Sequence, residues 1–258
     1  MFLPGLEPAK GSHPPTCPHT TMPLLSPALP NRPAPCPALA AADRAAPLDL
    51  RALLGELAWH RLPVSVRHRF EAGHPDTVYE GRMAKLECSW VGRCFAALSR
   101  IVGAPLTAMR AESVPAVVRV SDDGRGGVIW ERRFQTVGRD AAVVRSTKEL
   151  GPDGWLFERT DGGLGMALAV FEQDGALVFE SRRYELVLGR RRLVIPAFLT
   201  PGICRVTHTD LGAGCFRFTL TMDHPLWGRT FHQTGDFVDP PVGDDHGAEN
   251  RSPLSTLE

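Results

Sequence analysis

The chain has 258 residues, enough to bury a sizeable core. Lysine plus arginine and aspartate plus glutamate both total 29, so the formal net charge is zero and nothing favours a nucleic-acid partner. Six cysteines stand at 17, 36, 88, 94, 204 and 215 without a C-x-x-C pair, which signals neither a zinc knuckle nor a redox pair. They read as buried or indifferent thiols in a reducing compartment, and the expected location is the cytoplasm.

Residues 1–47 hold 12 of the 23 prolines. Missing backbone donors at that frequency oppose both helix and ladder, so this segment is expected to be disordered. Proline also interrupts the apolar stretch after Met22, which therefore does not read as a secretory h-region. Met22 is a second candidate start. Further on, no apolar run approaches the roughly 18–20 residues that a membrane-spanning helix needs.

Order is expected from Leu48. LDLRALLGELAWHRLP places Leu50, Leu53, Leu54 and Leu57 on one helical stripe. Pro63 opens a second short helix with Val66 and Phe70 inward and Gly73 as its stop. TVYEGRMAKLE alternates as a first strand. The helix at about 90–102 is the clearest in the chain: Trp90, Val91, Cys94, Phe95, Leu98, Ile101 and Val102 recur at three- and four-residue spacing, with Arg93 and Arg100 opposite.

From Val114 the hydrophobic period changes from 3.6 to 2. Roughly nine to eleven short strands follow, separated by SDDGRGG, GPDG, QDG, LGR, TPG and LGAG. Asp174-Gly175 is the firmest turn, because a two-residue hairpin demands positive φ. The fold class is therefore mainly β (α+β): an antiparallel meander forming a β-barrel or strongly curved sheet, with short N-terminal helices and the 90–102 helix as a cap. A helix-grip fold is the nearest alternative. The polar, proline-bearing segment FVDPPVGDDHGAENRSPLSTLE disfavours it and reads as a disordered tail over 239–258, leaving one domain at 48–238.

One strand phase carries large apolar side chains: Val128, Trp130 and Phe134; Trp155 and Phe157; Leu164, Met166, Leu168 and Val170; Phe216, Phe218, Leu220 and Met222. That phase either encloses a ligand cavity or packs as a solid core. Arg132, Arg145, Arg159 and Arg183 fall among apolar neighbours and could form a row gripping an anionic headgroup or carboxylate; alternatively the barrel ends expose their guanidiniums, or their stems cover apolar surface. Candidate ligand contacts are Trp130, Phe134, Arg145, Phe157, Arg183, Phe218 and His232.

The busiest stretch is RFTLTMDHPLWGRTFHQTGDF. A metal is not expected there: His208, His224 and His232, with Asp210 or Asp223, are acceptable ligand types, but no pair has the spacing that aims two imidazoles at one ion. Neither a nucleophile elbow nor a Cys–His signature occurs. Asp223 and His224, with Tyr184 or Glu158 across the sheet, are the acid–base candidates. The competing reading is a wide turn, with Pro225 holding His224 extended and Asp223 bonding backbone amides. No cofactor is expected.

The run from about Arg67 to Phe237 resembles the family catalogued as domain of unknown function 4166. Pro63 and Phe70, TVYEGRM, LSRIVGAPL, Ile129 to Phe134, Arg145-Ser146-Thr147-Lys148, Gly163 to Met166, FESRRY and above all LTMDHPLWGRTFHQTGDF carry the resemblance. It implies no activity and no catalytic residues. Members occur fused behind a nucleotide-binding dehydrogenase-like domain, which this sequence lacks, since no G-x-G-x-x-G follows a strand. The partner implied is therefore a dehydrogenase-like protein acting in trans, with the 90–102 helix as the contact. Three functions compete at this point: a binder of a small apolar or amphipathic ligand, an enzyme acting on that ligand, and an accessory domain.

Overall fold

The structure, a computed structural model, describes residues 47–73, 76–101, 106, 108–135, 141–151, 153–189 and 191–240. The segments expected to be disordered, 1–47 and 239–258, lie outside the described residues except at Pro47, Asp239 and Pro240.

Eleven strands run through the described residues: β1 (Thr77–Cys88), β2 (Ala111–Asp122), β3 (Val128–Phe134), β4 (Ala142–Leu150), β5 (Leu156–Arg159), β6 (Leu164–Gln173), β7 (Ala176–Leu188), β8 (Arg191–Ile195), β9 (Ile203–Gly212), β10 (Cys215–His224) and β11 (Gly228–Val238). All pairings are antiparallel. β1 to β7 form a meander, β7 passes to β9, and β11 returns to β1, so ten strands close into a barrel. Closure leaves no edge on those ten. β8 stands outside the ring, hairpinned onto the second half of β7. Asp174 (φ 51°) and Gly175 (φ 77°) supply the two left-handed residues of the β6–β7 hairpin.

Three short helices, α1 (Leu50–Leu54), α2 (Glu56–Arg61) and α3 (Val64–Arg69), precede β1. The single stripe expected over residues 50–57 is broken at Gly55, which ends α1 and begins α2, and Leu57 is exposed as a result. Val66 and Phe70 are buried as the pattern predicts. Phe70 plugs the barrel end at which β1 begins, 4.9 Å from the His208 ring and 5.9 Å from both Trp130 and Phe179. Arg69 seals the same end, paired to Asp239 at 2.7 Å with its guanidinium 3.8 Å above the Phe216 ring.

The fourth helix, α4 (Trp90–Ile101), follows the last residue of β1 and so covers the opposite end. Its orientation corrects the expected stripe. Val91, Ala96 and Ser99 are buried and Phe95 is half-buried, whereas Trp90, Cys94 and Leu98 are exposed. Gly92 decides this rotation: a Cβ there would lie 2.3 Å from the Thr230 carbonyl oxygen, so the helix rests on β11 along its smallest residue.

Pleat alternation then sorts each strand into lumen and exterior. A register shift between Met83 and Lys85 changes the phase of β1, so Tyr79, Met83, Leu86 and Cys88 are all buried despite their uneven spacing.

Candidate functional site

The barrel is solid at one end and hollow at the other. Near the helical plug, Tyr79, Met83, Trp130, His208, Phe216 and Phe237 leave a void of only about 20 Å³. Beneath α4 a cavity of about 430 Å³ opens, within the range of small-molecule sites. Arg132, Phe134 and Phe218 border both spaces and form the partition between them. The walls above are apolar, with Leu164, Met166, Leu220, Met222 and Phe231, and the roof is Phe95, Leu98 and Leu199.

Period-2 alternation places three charged side chains at the partition. Arg132 lies between Trp130 and Phe134 on β3; Lys148 and Ser146 share the inward phase of β4; Glu158 follows Leu156 inward on β5. Glu158 accepts a hydrogen bond from Ser146 Oγ at 2.6 Å and pairs with Lys148 Nζ at 3.1 Å. Arg132 stands 3.8 Å from Glu158 and donates to Ser146 Oγ at 3.3 Å. Burial raises the Glu158 carboxyl, but Lys148, then Arg132 and Ser146, overturn that effect and hold its pKa down at about 2. Burial pushes the Lys148 ammonium downward against the pull of Glu158.

Three groups beside this cluster, His208, Cys204 and Tyr184, are held in their neutral forms. Burial drives His208 well below its ordinary pKa, and the Arg69, Lys148 and Arg132 charges add to this. Burial raises Cys204 to about 12 and the Tyr184 phenol well above its usual value. Tyr184 donates its hydroxyl proton to the Gly202 carbonyl at 2.8 Å. The Ser99, Thr160 and Thr200 hydroxyls donate to the carbonyls of Ala96, Leu164 and Ala197.

The candidate residues separate accordingly. Phe134, Phe218 and Tyr184 line the cavity, and Trp130 belongs to the packed half. The arginine row does not form, because only Arg132 points inward. Arg145 is exposed, 3.9 Å from Asp161; Arg159 binds Glu149; Arg183 binds Asp153 and Glu185. Phe157 is buried on the barrel's outer face: its ring occupies the space that a side chain on Gly165 would take, and Arg192 covers it at 5.1 Å. His232, between the lumen-facing Phe231 and Gln233, points to the exterior.

Asp223 and His224 do not meet either. Asp223 faces out and accepts from Arg229 at 3.0 Å. His224 is buried under α4, stacked on Trp227 with centroids 4.2 Å apart. Its Nδ1 accepts from the Leu226 amide at 3.1 Å, so the histidine caps the 225–227 turn that the sequence assigned to Asp223. His208, His224 and His232 thus occupy the packed half, the roof and the exterior. Among the described residues no group of three or more His, Cys, Asp or Glu side chains converges as a metal site.

Sequence reasoning missed Lys148 and Ser146 as partners of Arg132 and Glu158. The available signal was Arg132 between Trp130 and Phe134 on the apolar phase of β3; β4 and β5 carry no comparable mark. Cys88, Cys94 and Cys204 are free thiols; Cys215 is not among them. No described helix is long and apolar enough to cross a membrane. Comparison with curated proteins and with solved structures finds no match. A family model described as domain of unknown function DUF4166 matches residues 62–237, from just before α3 to the penultimate residue of β11. That match takes in every strand of the barrel and the whole polar cluster, and the chain belongs to the DUF4166 family.

Proposed function

We propose that this domain binds a small apolar or amphipathic molecule inside its barrel, under α4. The single observation that carries the reading is the asymmetry of the interior: the plugged end keeps only voids of about 20 and 70 Å³, while the other end keeps about 430 Å³ behind apolar walls. Interiors of folded proteins are normally close-packed, and an unfilled hollow of that size forfeits dispersion contacts along its whole lining. A ligand restores them. The test is titration of the purified protein with N-phenyl-1-naphthylamine, followed by fluorescence, alongside native mass spectrometry. Saturable binding near one equivalent, or a copurified small molecule, supports the reading. A protein that is empty and leaves the dye's emission unchanged overturns it.

A second reading rests on the outside of α4. Trp90 is 69% exposed, and Leu98, though it borders the cavity, is still 59% exposed; exposed apolar side chains on one helix suit a protein contact. A dehydrogenase-like partner would follow from the family resemblance alone. Charge reversal at Arg93 and Arg100, which flank those residues, would weaken such a complex in a pull-down with the isolated partner; unchanged recovery would count against α4 as the contact.

A further inference from the structure

The geometry points to an anionic amphiphile as the ligand: a carboxylate on an aliphatic tail, its head held by Arg132 at the floor of the cavity and its tail directed toward α4. This deepens the binding reading above and rests on it.

The charge balance at the partition is uneven. Arg132 and Lys148 are two cations beside one carboxylate, Glu158. The carboxylate's close partners are Lys148 Nζ at 3.1 Å on one oxygen and Ser146 Oγ at 2.6 Å on the other. Arg132 is left at 3.8 Å, outside hydrogen-bonding range, and its only hydrogen bond among the described residues is the 3.3 Å contact to Ser146 Oγ. A guanidinium carries five N–H donors in a planar fork. Here most of that fork is unused, although its side chain is only 14% exposed.

The two cations also differ in position. Lys148 borders the crevice beneath the helical plug, with Leu50 and Phe70, and does not line the large cavity. Arg132 does line it. Its guanidinium lies 5.8 Å from the Trp130 ring centroid and 6.0 Å from that of Phe218, so aromatic neighbours hold the group in place while its donors remain available. The hydroxyls of Ser99, Thr160, Thr200 and Tyr184 are engaged with backbone carbonyls, so they offer no competing donor to an anionic head. A ligand carboxylate would meet the fork through two parallel N–H···O bonds; Glu158 also lines the cavity, but Lys148 takes up its charge at 3.1 Å, which leaves the Arg132 charge to the ligand. Leu220, Met222, Phe231 and Phe95 would line the tail's path to the roof.

The test compares dodecanoate with 1-dodecanol, equal in chain length and different in the head. Each is titrated by displacement of N-phenyl-1-naphthylamine from the wild type, Arg132→Gln and Arg132→Lys. The wild type is expected to bind the acid at least tenfold more tightly than the alcohol. Arg132→Gln should remove that preference while changing alcohol affinity less than threefold, and Arg132→Lys should restore part of it. Dodecyl phosphate serves as a further arm: binding it more tightly than the acid would overturn the carboxylate assignment in favour of a phosphate head. If the wild type binds acid and alcohol alike, the inference fails and the lumen reading stands. If neither displaces the dye, nor binds directly by native mass spectrometry, both fail. The wild-type comparison decides the matter even if an Arg132 variant does not fold.

Discussion

The Lys148 ammonium nitrogen lies 3.1 Å from Glu158 Oε2, and both side chains are buried inside the barrel. Removing one member of such a pair strands the other in a medium that solvates it poorly, so Glu158→Gln is expected to cost about 3–5 kcal/mol at neutral pH. The pH dependence follows from the depressed carboxyl. Glu158 titrates at about 2 in the fold against an ordinary 4.5, so the unfolded chain takes up its proton first as pH falls. The stabilisation is complete above about 4.5 and disappears toward 2, a loss on the order of 3 kcal/mol. Urea unfolding of wild type and Glu158→Gln at several values between pH 6 and 2.5 checks this. The gap between the two should narrow steadily on acidification; a constant gap would refute the pairing.

His224 and Trp227 provide a second measurement. The histidine is buried, stacked at 4.2 Å and bonded to the Leu226 amide, whereas Asp223 beside it is exposed on the outer face. His224→Ala should lose an aromatic pair, a turn bond and packing, about 2–4 kcal/mol together, which lowers Tm by roughly 5–12 °C for a domain of this size. Asp223→Asn gives up only an exposed ion pair with Arg229 and should cost under about 1 kcal/mol. Calorimetry on the two variants separates a structural turn from a dyad, for which both substitutions would act together.

How far the pattern of residues foretold this site depends on what covers each strand. Period-2 alternation identifies the strands, and Asp174-Gly175 identifies a hairpin, because both are local consequences of backbone geometry. The face of β5 was not legible. Trp155 and Phe157 carry more apolar surface than Leu156 and Glu158, yet the latter pair points inward. Phe157 is buried from outside, under Arg192 and against Gly165, and a single strand's sequence contains no trace of the neighbour that covers it. α4 fails for a similar reason. Its apolar arc is wider than its contact, and only the close approach of Gly92 to the Thr230 carbonyl selects which part faces β11. The apolar neighbours of the arginines on β4, β5 and β7 leave a lumen row and an exposed surface position both open; their carboxylate partners Asp161, Glu149 and Asp153, remote in sequence or on a turn, draw them outward.

The thiols should report how well the roof seals the cavity. Burial, with Glu158 adding to it, lifts Cys204 to about 12, so only about one molecule in ten thousand holds a thiolate at pH 8. Cys94 is exposed on α4. Brief treatment with iodoacetamide followed by peptide mass spectrometry should label Cys94 and spare Cys204 and Cys88 until denaturant is added. Labelling of Cys204 at the rate of Cys94 in the folded protein would mean that α4 does not close the barrel.

The contrast between hollow and solid ends yields the most direct prediction. Val144 lines the large cavity, whereas Met83 borders only the small void and is 1% exposed. Enlarging both to tryptophan adds comparable bulk in different surroundings. At position 83 the added ring has no space, and overpacking there should cost about 1–3 kcal/mol or more. At position 144 the ring projects into unfilled volume, where new contacts offset the distortion, so stability should change by less than about 1 kcal/mol. Dye affinity should respond in the opposite order, falling more than tenfold for Val144→Trp and little for Met83→Trp wherever that variant remains folded. Denaturant unfolding and dye titration on the same two proteins suffice. If Val144→Trp destabilises the domain as strongly as Met83→Trp, the space beneath α4 is filled by the protein itself and no ligand is needed to occupy it.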